Sequence, residues 1–257
     1  MIVDLELVRS IEHTGATHCS RQAATLTDAR WSCLDGGALI AMGAGRYVNR
    51  AFGLGFEVTD PTFVLDTMEA FYADSALPPM IEVSPWVHGD LVVELRRRGY
   101  TVDDFTSVFA HSLRDIAPRS LVPIDVVDVE SEPEWTDVHG ARSPVGSPAR
   151  AVSDEFCAAM RSMPHSVDLL VRLDGIGVAA ASFTRLGDIA WFGGAGTRLE
   201  QRGVGLQSAL IIERLHRSRA LGCSLAVATA APTGPSARNL LRAGFQLLQT
   251  RTVLSRR

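Results

Sequence analysis

The ends of the two halves of this 257-residue chain repeat one another. At an offset of 145 positions, Leu95 and Gly99 lie over Leu240 and Gly244, and an aromatic residue follows each glycine. Each segment has the pattern of a strand, a loop, a short helix, the glycine and a last strand. The glycine follows a helix end, where left-handed backbone conformation is inexpensive only without a Cβ. The repeat predicts two copies of one α/β module, with chance similarity as the alternative.

A linker is predicted between the two copies. Segment 115–123 contains two prolines and has no clear periodicity. We therefore expect one module over residues 1–118 and a second over residues 122–257, both of the α/β class with a mixed sheet. In the second module we expect helical structure over 134–160 with a break near 143–148, strands over 167–172, 177–184, 189–197 and 224–229, and a helix over 205–220.

The charge composition excludes several kinds of chemistry. All 25 basic residues are arginine, so a lysine Schiff base, a lysine nucleophile and a Walker-type phosphate lysine are ruled out. The net charge of −4 argues against a nucleic-acid binder. Four widely spaced cysteines have no C-x-x-C pair and are expected to be reduced, and no metal-ligand spacing is present.

Location is inferred from what the sequence lacks. The N-terminal residues do not show a positive-then-apolar signal pattern, and no apolar run approaches about 18 residues, the length of a membrane span. We expect a cytoplasmic protein with no membrane partner and no nucleic-acid partner, as a monomer or homodimer.

The most informative stretch joins a strand to a helix through a glycine-containing loop. The strand 189–197 is followed by Arg202-Gly-Val-Gly-Leu-Gln207 and then by the helix. Such a loop presents several backbone N–H groups in one direction, and the positive end of the helix dipole adds to them. The segment therefore predicts a phosphate or diphosphate site. It lacks the third glycine of the dinucleotide fingerprint.

The pattern Arg202-x-x-Gly205-x-Gln207 resembles the acyl-CoA loop of the GCN5-related N-acetyltransferase (GNAT) family. Gly193-Gly-Ala-Gly-Thr197 is similar to the family's bulged strand, and Ser236-Ala-Arg-Asn239 with Arg242-Ala-Gly-Phe245 is similar to the S-x-R-N-x-x-R-x-G-F pattern of one branch. The resemblance covers about residues 122–257. The first half resembles a degenerate copy without the loop, which implies two tandem GNAT-like modules, the first helping to shape a substrate cleft.

This resemblance implies acetyl-CoA as a co-substrate and no metal. The residues that it implies for cofactor binding are Ala195, Gly196, Thr197, Arg202, Gly203, Val204, Gly205, Leu206, Gln207, Ser236 and Asn239. For Ser236, which follows a proline, we favour a helix N-cap instead. For Arg202, pairing with phosphate and a solvated loop position are equally supported.

The implied reaction is direct attack of a primary amine, from a small molecule or a protein, on acetyl-CoA. The sequence departs from the family at Leu240, where many relatives have a tyrosine that protonates the leaving thiolate. The general base is not identified, although His139 and His165 are possible. Asn49, in the basic and aromatic run 46–50, and Asp154 are candidate substrate contacts, with a solvated loop and a first-turn helix carboxylate as the alternatives.

The missing tyrosine keeps two other functions open. One is a non-catalytic acyl-CoA-binding or regulatory protein with this fold, and the other is a protein with neither activity.

Overall fold

The computed structural model describes residues 3–46, 48–57, 60–128 and 130–256. The α-helices in that part of the chain are α1 (Leu5–Ala23), α2 (Pro61–Asp74), α3 (Gly89–Arg97), α4 (Glu132–His139), α5 (Pro148–Arg161), α6 (Leu206–Ala220) and α7 (Pro235–Arg242). The strands are β1 (Arg30–Leu34), β2 (Gly37–Ala41), β3 (Ala51–Phe52), β4 (Met80–Val83), β5 (Thr101–His111), β6 (Ile124–Val126), β7 (Ser166–Leu173), β8 (Ile176–Leu186), β9 (Ile189–Thr197), β10 (Leu225–Ala230) and β11 (Gln246–Ser255).

The chain forms two compact units. The first comprises Met1–Val108, Ala230–Pro232 and Leu247–Arg257, and the second comprises Phe109–Thr229 and Thr233–Gln246. The α/β class with a mixed sheet is confirmed. The predicted module limits, 1–118 and 122–257, remain predictions, and they differ from the compact units because β11 packs in the first unit.

The first unit is built on a sheet with the order β1-β2-β3-β4-β11-β5. β11 runs antiparallel to β4, with Val253 opposite Glu82. The core of this unit is apolar and includes Leu65, Met68 and Tyr72 of α2. A strand from the end of the sequence thus completes a sheet formed by its beginning.

Buried ion pairs connect β11 to the rest of the first unit. The Arg251 guanidinium donates from Nε to Glu12 Oε1 at 2.8 Å and from Nη1 to Glu82 Oε2 at 3.0 Å. The side chains of all three residues are 4–5% exposed. Gln249 also donates to Glu12. Because these charges are buried, each needs an opposite charge beside it, and Glu82 also pairs with Arg50 at 3.0 Å.

The second unit is built on a sheet with the order β10-β9-β8-β7-β6. β10 is parallel to β9, and α6 is the crossover between them. The pairs β6–β7, β7–β8 and β8–β9 are antiparallel. The predicted β7–β8 turn is confirmed, since Asp174 and Gly175 have φ values of 51° and 78°. Leu206 and Leu210 of α6 pack on the apolar residues of β7 and β8.

The repeat inferred from the sequence has the same geometry at both ends. Gly99 follows α3 with a φ of 80°, and Gly244 follows α7 with a φ of 92°. The aromatic residue after each glycine donates its backbone N–H back to the helix. Tyr100 donates to Leu95 C=O and Phe245 donates to Leu240 C=O, both at 3.1 Å. Matching helix ends support two copies of one module.

None of the helices in the described ranges has the length and apolar character needed to cross a membrane.

Candidate functional site

A bulge distorts β9 in the middle of the second unit's sheet. Ala181 pairs with Ala195 and Phe183 with Phe192, so three steps along β9 match two along β8. The bulge therefore falls at Gly193 and Gly194, inside the predicted motif. The ladder between β9 and β10 runs only as far as the Phe192–Ala228 pair. Beyond that pair, the backbone of β9 can bind a ligand along its edge.

The loop after β9 turns sharply into α6. Gly205 is the N-cap of α6 with φ 88° and ψ 2°, and Gly203 has a φ of 82°. A Cβ at either glycine would meet nothing within 4 Å. The first intrahelical bond runs from Ala209 N–H to Gly205 C=O at 3.0 Å, and no side chain in the described ranges caps the helix. The preceding N–H groups thus open onto space, at the positive end of the helix dipole.

Two side chains hold this loop against the end of β9. Gln207 Nε2 donates to Gly196 C=O at 2.9 Å and to Thr197 Oγ1 at 2.7 Å. Arg202 Nε donates to Thr197 C=O at 3.3 Å, while the residue stays exposed. Gln207 therefore positions the loop.

The bulge, the loop, α6 and α7 surround a cavity of about 650 Å³. Ten of the eleven residues predicted to bind cofactor line it, namely Ala195, Gly196, Thr197, Arg202, Gly203, Gly205, Leu206, Gln207, Ser236 and Asn239. Val204 is not among the lining residues, and it is 64% exposed. The structure thus brings together residues from separate parts of the sequence.

The expected N-cap role of Ser236 is wrong. Gly234 is the N-cap of α7, without a side-chain hydrogen bond, and Pro235 begins the helix. Proline favours the first helical position, so Ser236 falls inside the helix. It lines the cavity together with Asn239, whose Oδ1 accepts a hydrogen bond from Arg242 Nη1 at 3.3 Å.

The cavity is positively charged. Its lining includes Arg142, Arg202, Arg214 and Arg242, and contains no aspartate or glutamate among the residues that the structure describes. Of these four arginines, only Arg202 is predicted from the sequence as a binding residue. Arg214 carried a usable signal, because it follows Leu210 by one helical turn and therefore falls on the buried face of α6.

Arg214 is the one deeply buried arginine of this lining, at 3% exposure. Its Nε donates to Leu210 C=O at 3.3 Å and its Nη1 to Ser182 C=O at 3.1 Å. Its Cζ lies 4.4 Å from the centroid of the Phe192 ring. Burial lowers the pKa of Arg214 to about 9, so the guanidinium is still protonated at neutral pH.

His139 packs against the bulge outside the cavity lining. Its ring stacks on Trp135 at 4.9 Å, and its Nδ1 lies 3.1 Å from Cys157 Sγ. A Cβ at Gly194 would clash with His139 Nε2. Burial lowers the pKa of His139 to about 4, so the ring is neutral. His165, the other histidine considered as a base, is exposed ahead of β7 and does not line the cavity either.

The two predicted substrate contacts make local interactions. Asp154 accepts from Arg150 Nε at 2.7 Å one turn away in α5. Asn49 belongs to the first unit, where its Oδ1 accepts from Met42 N–H at 2.7 Å and its amide donates to Gly43 C=O. Tyr47 in the same run lies outside the described residues. A substrate role for Asn49 or Asp154 remains a prediction.

Over the described part of the chain, no group of three or more His, Cys, Asp or Glu side chains could hold a metal ion.

Comparison with known proteins gives structural matches only. No protein-family model and no curated protein matches the sequence. A solved GCN5-related N-acetyltransferase from Kribbella flavida is similar over 95% of each chain, with a TM-score of 0.71 and 19% identity.

Two further structures extend the comparison. A tandem GNAT protein from the clavulanic acid biosynthesis pathway matches 96% of this chain and 93% of its own, with a TM-score of 0.61 and 10% identity. A GCN5-related N-acetyltransferase from Sphaerobacter thermophilus matches 76% of this chain and 67% of its own, with a TM-score of 0.59 and 17% identity. The GNAT fold is therefore confirmed, and the match to the tandem protein fits two GNAT modules.

Proposed function

We propose that the second unit binds an acyl-CoA in the arginine-lined cavity and that the protein transfers the acyl group to a primary amine. The observation that carries this proposal is the uncapped start of α6, which opens into a cavity with four arginines and, among the residues described, no lining carboxylate. A polyanionic ligand suits that combination.

The cavity residues fit the parts of CoA. The N–H groups at the start of α6, with Arg202 beside them, would hold the diphosphate. The edge of β9 from Gly193 to Thr197 would pair with the amides of the pantetheine arm. Glycines at 193, 194 and 196 let a ligand approach this backbone closely. When bound, the co-substrate supplies an activated thioester, with acetyl-CoA as the donor that the sequence resemblance implies.

The reaction that follows from this fit is aminolysis of the thioester. A neutral amine attacks the thioester carbonyl, the C–N bond forms, the C–S bond breaks, and CoA leaves as a thiol with the proton that the amine gives up. The protein contributes by holding the two reactants together. In this proposal, backbone N–H groups at the β9 bulge donate to the carbonyl oxygen, where negative charge develops.

A second candidate function is supported by what the lining contains. Arginine is its only ionisable residue type among the described residues, and Leu240 occupies the position of the usual tyrosine. Such a cavity can bind an acyl-CoA without supplying a proton donor or acceptor. The alternative is therefore a non-catalytic acyl-CoA-binding or regulatory protein.

One experiment separates these functions. The melting temperature is measured with and without CoA, and free thiol is then followed with acetyl-CoA and a panel of small-molecule and peptide amines. Ligand at about 100 times Kd should add about 2.7 kcal/mol of stability. Binding with amine-dependent thiol release supports the transferase, and binding without release on any amine supports the alternative. No shift with CoA rejects both.

A further inference from the structure

Among the residues that the structure describes, Arg214 differs from the other strongly buried arginines in having no carboxylate partner. Arg251 contacts Glu12 and Glu82, and Arg150 contacts two aspartates. Among the described residues, Arg214 has two backbone carbonyl acceptors and the face of Phe192, and no ion pair.

A buried cation without an anion is unfavourable. Hydrogen bonds to carbonyls and a cation–π contact offset only part of the cost of removing the charge from water. The Arg214 side chain lines the same cavity as the start of α6, so an anion bound in the cavity can reach it. The free energy gained on binding is therefore greatest for a ligand that brings a carboxylate to Arg214.

The position of Arg214 along the cavity indicates which part of the ligand it meets. Arg214 lies eight residues after Leu206 in α6, which is about 12 Å along the helix axis. Phe192, which its guanidinium covers, lies five residues before Thr197 in β9, which is about 16 Å along the strand. Both lengths place Arg214 far from the proposed diphosphate site and on the inner side of the bulge.

We infer that the acyl group carried by CoA ends in a carboxylate, which Arg214 binds at the inner end of the cavity. This inference rests on the proposed function and narrows its donor class to short dicarboxylic acyl thioesters. The acyl chain must be short because the paired strands at Phe192 and Ala228 close the inner end of the cavity. The carboxylate is bound and not consumed, so the aminolysis is unchanged and the amide product keeps the free carboxylate.

The test compares binding of charged and neutral acyl-CoAs of matched length. Kd is measured by calorimetry for CoA, acetyl-CoA, butyryl-CoA, malonyl-CoA, valeryl-CoA and succinyl-CoA with the full chain. The neutral counterpart of malonyl-CoA is butyryl-CoA, and that of succinyl-CoA is valeryl-CoA. We expect malonyl-CoA or succinyl-CoA to bind about ten- to a hundredfold more tightly than its counterpart, which is the size of effect expected for charge-assisted hydrogen bonds to a buried group. Equal or weaker binding of both dicarboxylic thioesters overturns the inference.

Variants locate the effect on Arg214. Arg214→Met removes the charge at similar length and should bring the Kd of each dicarboxylic thioester to that of its neutral counterpart, measured on the same variant. Arg214→Lys should restore part of the preference. Arg219→Met, on the exposed face of the same helix, is the matched control and should keep the full preference. A preference that survives Arg214→Met also rejects the assignment.

Failure of the inference and failure of the proposed function are distinguishable. If CoA and every acyl-CoA fail to bind the wild-type protein, the cavity is not a CoA site and both are rejected. If CoA binds and the charged and neutral thioesters bind alike, only the carboxylate assignment is rejected.

Discussion

Replacing Gly205 tests whether the start of α6 binds a diphosphate. We compare Gly205→Glu with Gly205→Gln, which differ in charge and hardly in shape. A Cβ at this position meets nothing within 4 Å, so neither variant creates a clash at its Cβ. In both variants a side chain at a φ of 88° lowers the free energy of unfolding by about 1–2 kcal/mol, the cost of a left-handed residue. For a protein of this size that lowers Tm by about 2–8 °C in both.

The difference between the two variants isolates electrostatics. A carboxylate at residue 205 would lie near a ligand charge at the helix start, and its Coulomb energy is evaluated for a separation of about 6 Å. With an effective dielectric constant between about 20 and 80, the repulsion is about 0.7–3 kcal/mol per ligand charge. Gly205→Glu should therefore bind CoA about three- to 150-fold more weakly than Gly205→Gln.

Calorimetric titration with CoA at low and high salt measures this difference. The gap should narrow as salt rises, because the site is open to solvent and its charges are screened. Two variants that bind CoA equally, at any salt concentration, would refute the assignment of the diphosphate to this loop.

Three further predictions concern buried groups. Arg251→Met leaves the buried Glu12 carboxylate without its cation and leaves Glu82 with Arg50, and it should lower the free energy of unfolding by about 3–5 kcal/mol in urea titrations. Burial raises the pKa of Asp168 from 3.8 to about 6, so the folded state holds this proton more tightly than the unfolded chain. Asp168→Asn should therefore gain up to about 3 kcal/mol relative to wild type as pH rises from about 4 to about 6. Gly194→Ala should lower Tm by crowding His139 Nε2, and the drop in Tm should be smaller in a His139→Ala background.

Each of these predictions has an internal comparison. Arg256→Met breaks a partly exposed pair with Glu69 and should cost less than about 1 kcal/mol. If the stability difference between Asp168→Asn and wild type does not change between pH 4 and 6, the raised pKa of Asp168 is contradicted. Gly196→Ala should not be relieved by His139→Ala, because its Cβ would meet the backbone carbonyl of His139 at 2.7 Å.

Local signals in the sequence were sufficient for the elements that form the cavity. The limits of α6 and the turn at Asp174 follow from apolar periodicity and glycine positions, and both match the structure. The loop between β9 and α6 was identified from its glycines because their conformational freedom is a local property. Ser236 shows where local reasoning failed, since Pro235 and Gly234 set the helix start instead.

Features that depend on distant partners were out of reach. The buried pair of Arg251 and Glu12 joins residues 239 positions apart, and neither residue has a neighbour in sequence that signals it. Arg142 reaches the cavity from the loop after α4, which no periodicity of its own segment indicates. Such contacts arise from tertiary packing, which overrides local preference.

The position of β11 also constrains how this protein is made. On the ribosome, the first 108 residues emerge long before residues 247–256, so their sheet lacks an inner strand while the second unit is synthesised. Exposed edges of β4 and β5 at that stage are open to wrong pairing and aggregation. Closing the sheet across so many residues raises the contact order, which slows folding. A nascent chain halted before residue 247 should therefore be protease-sensitive in its first unit.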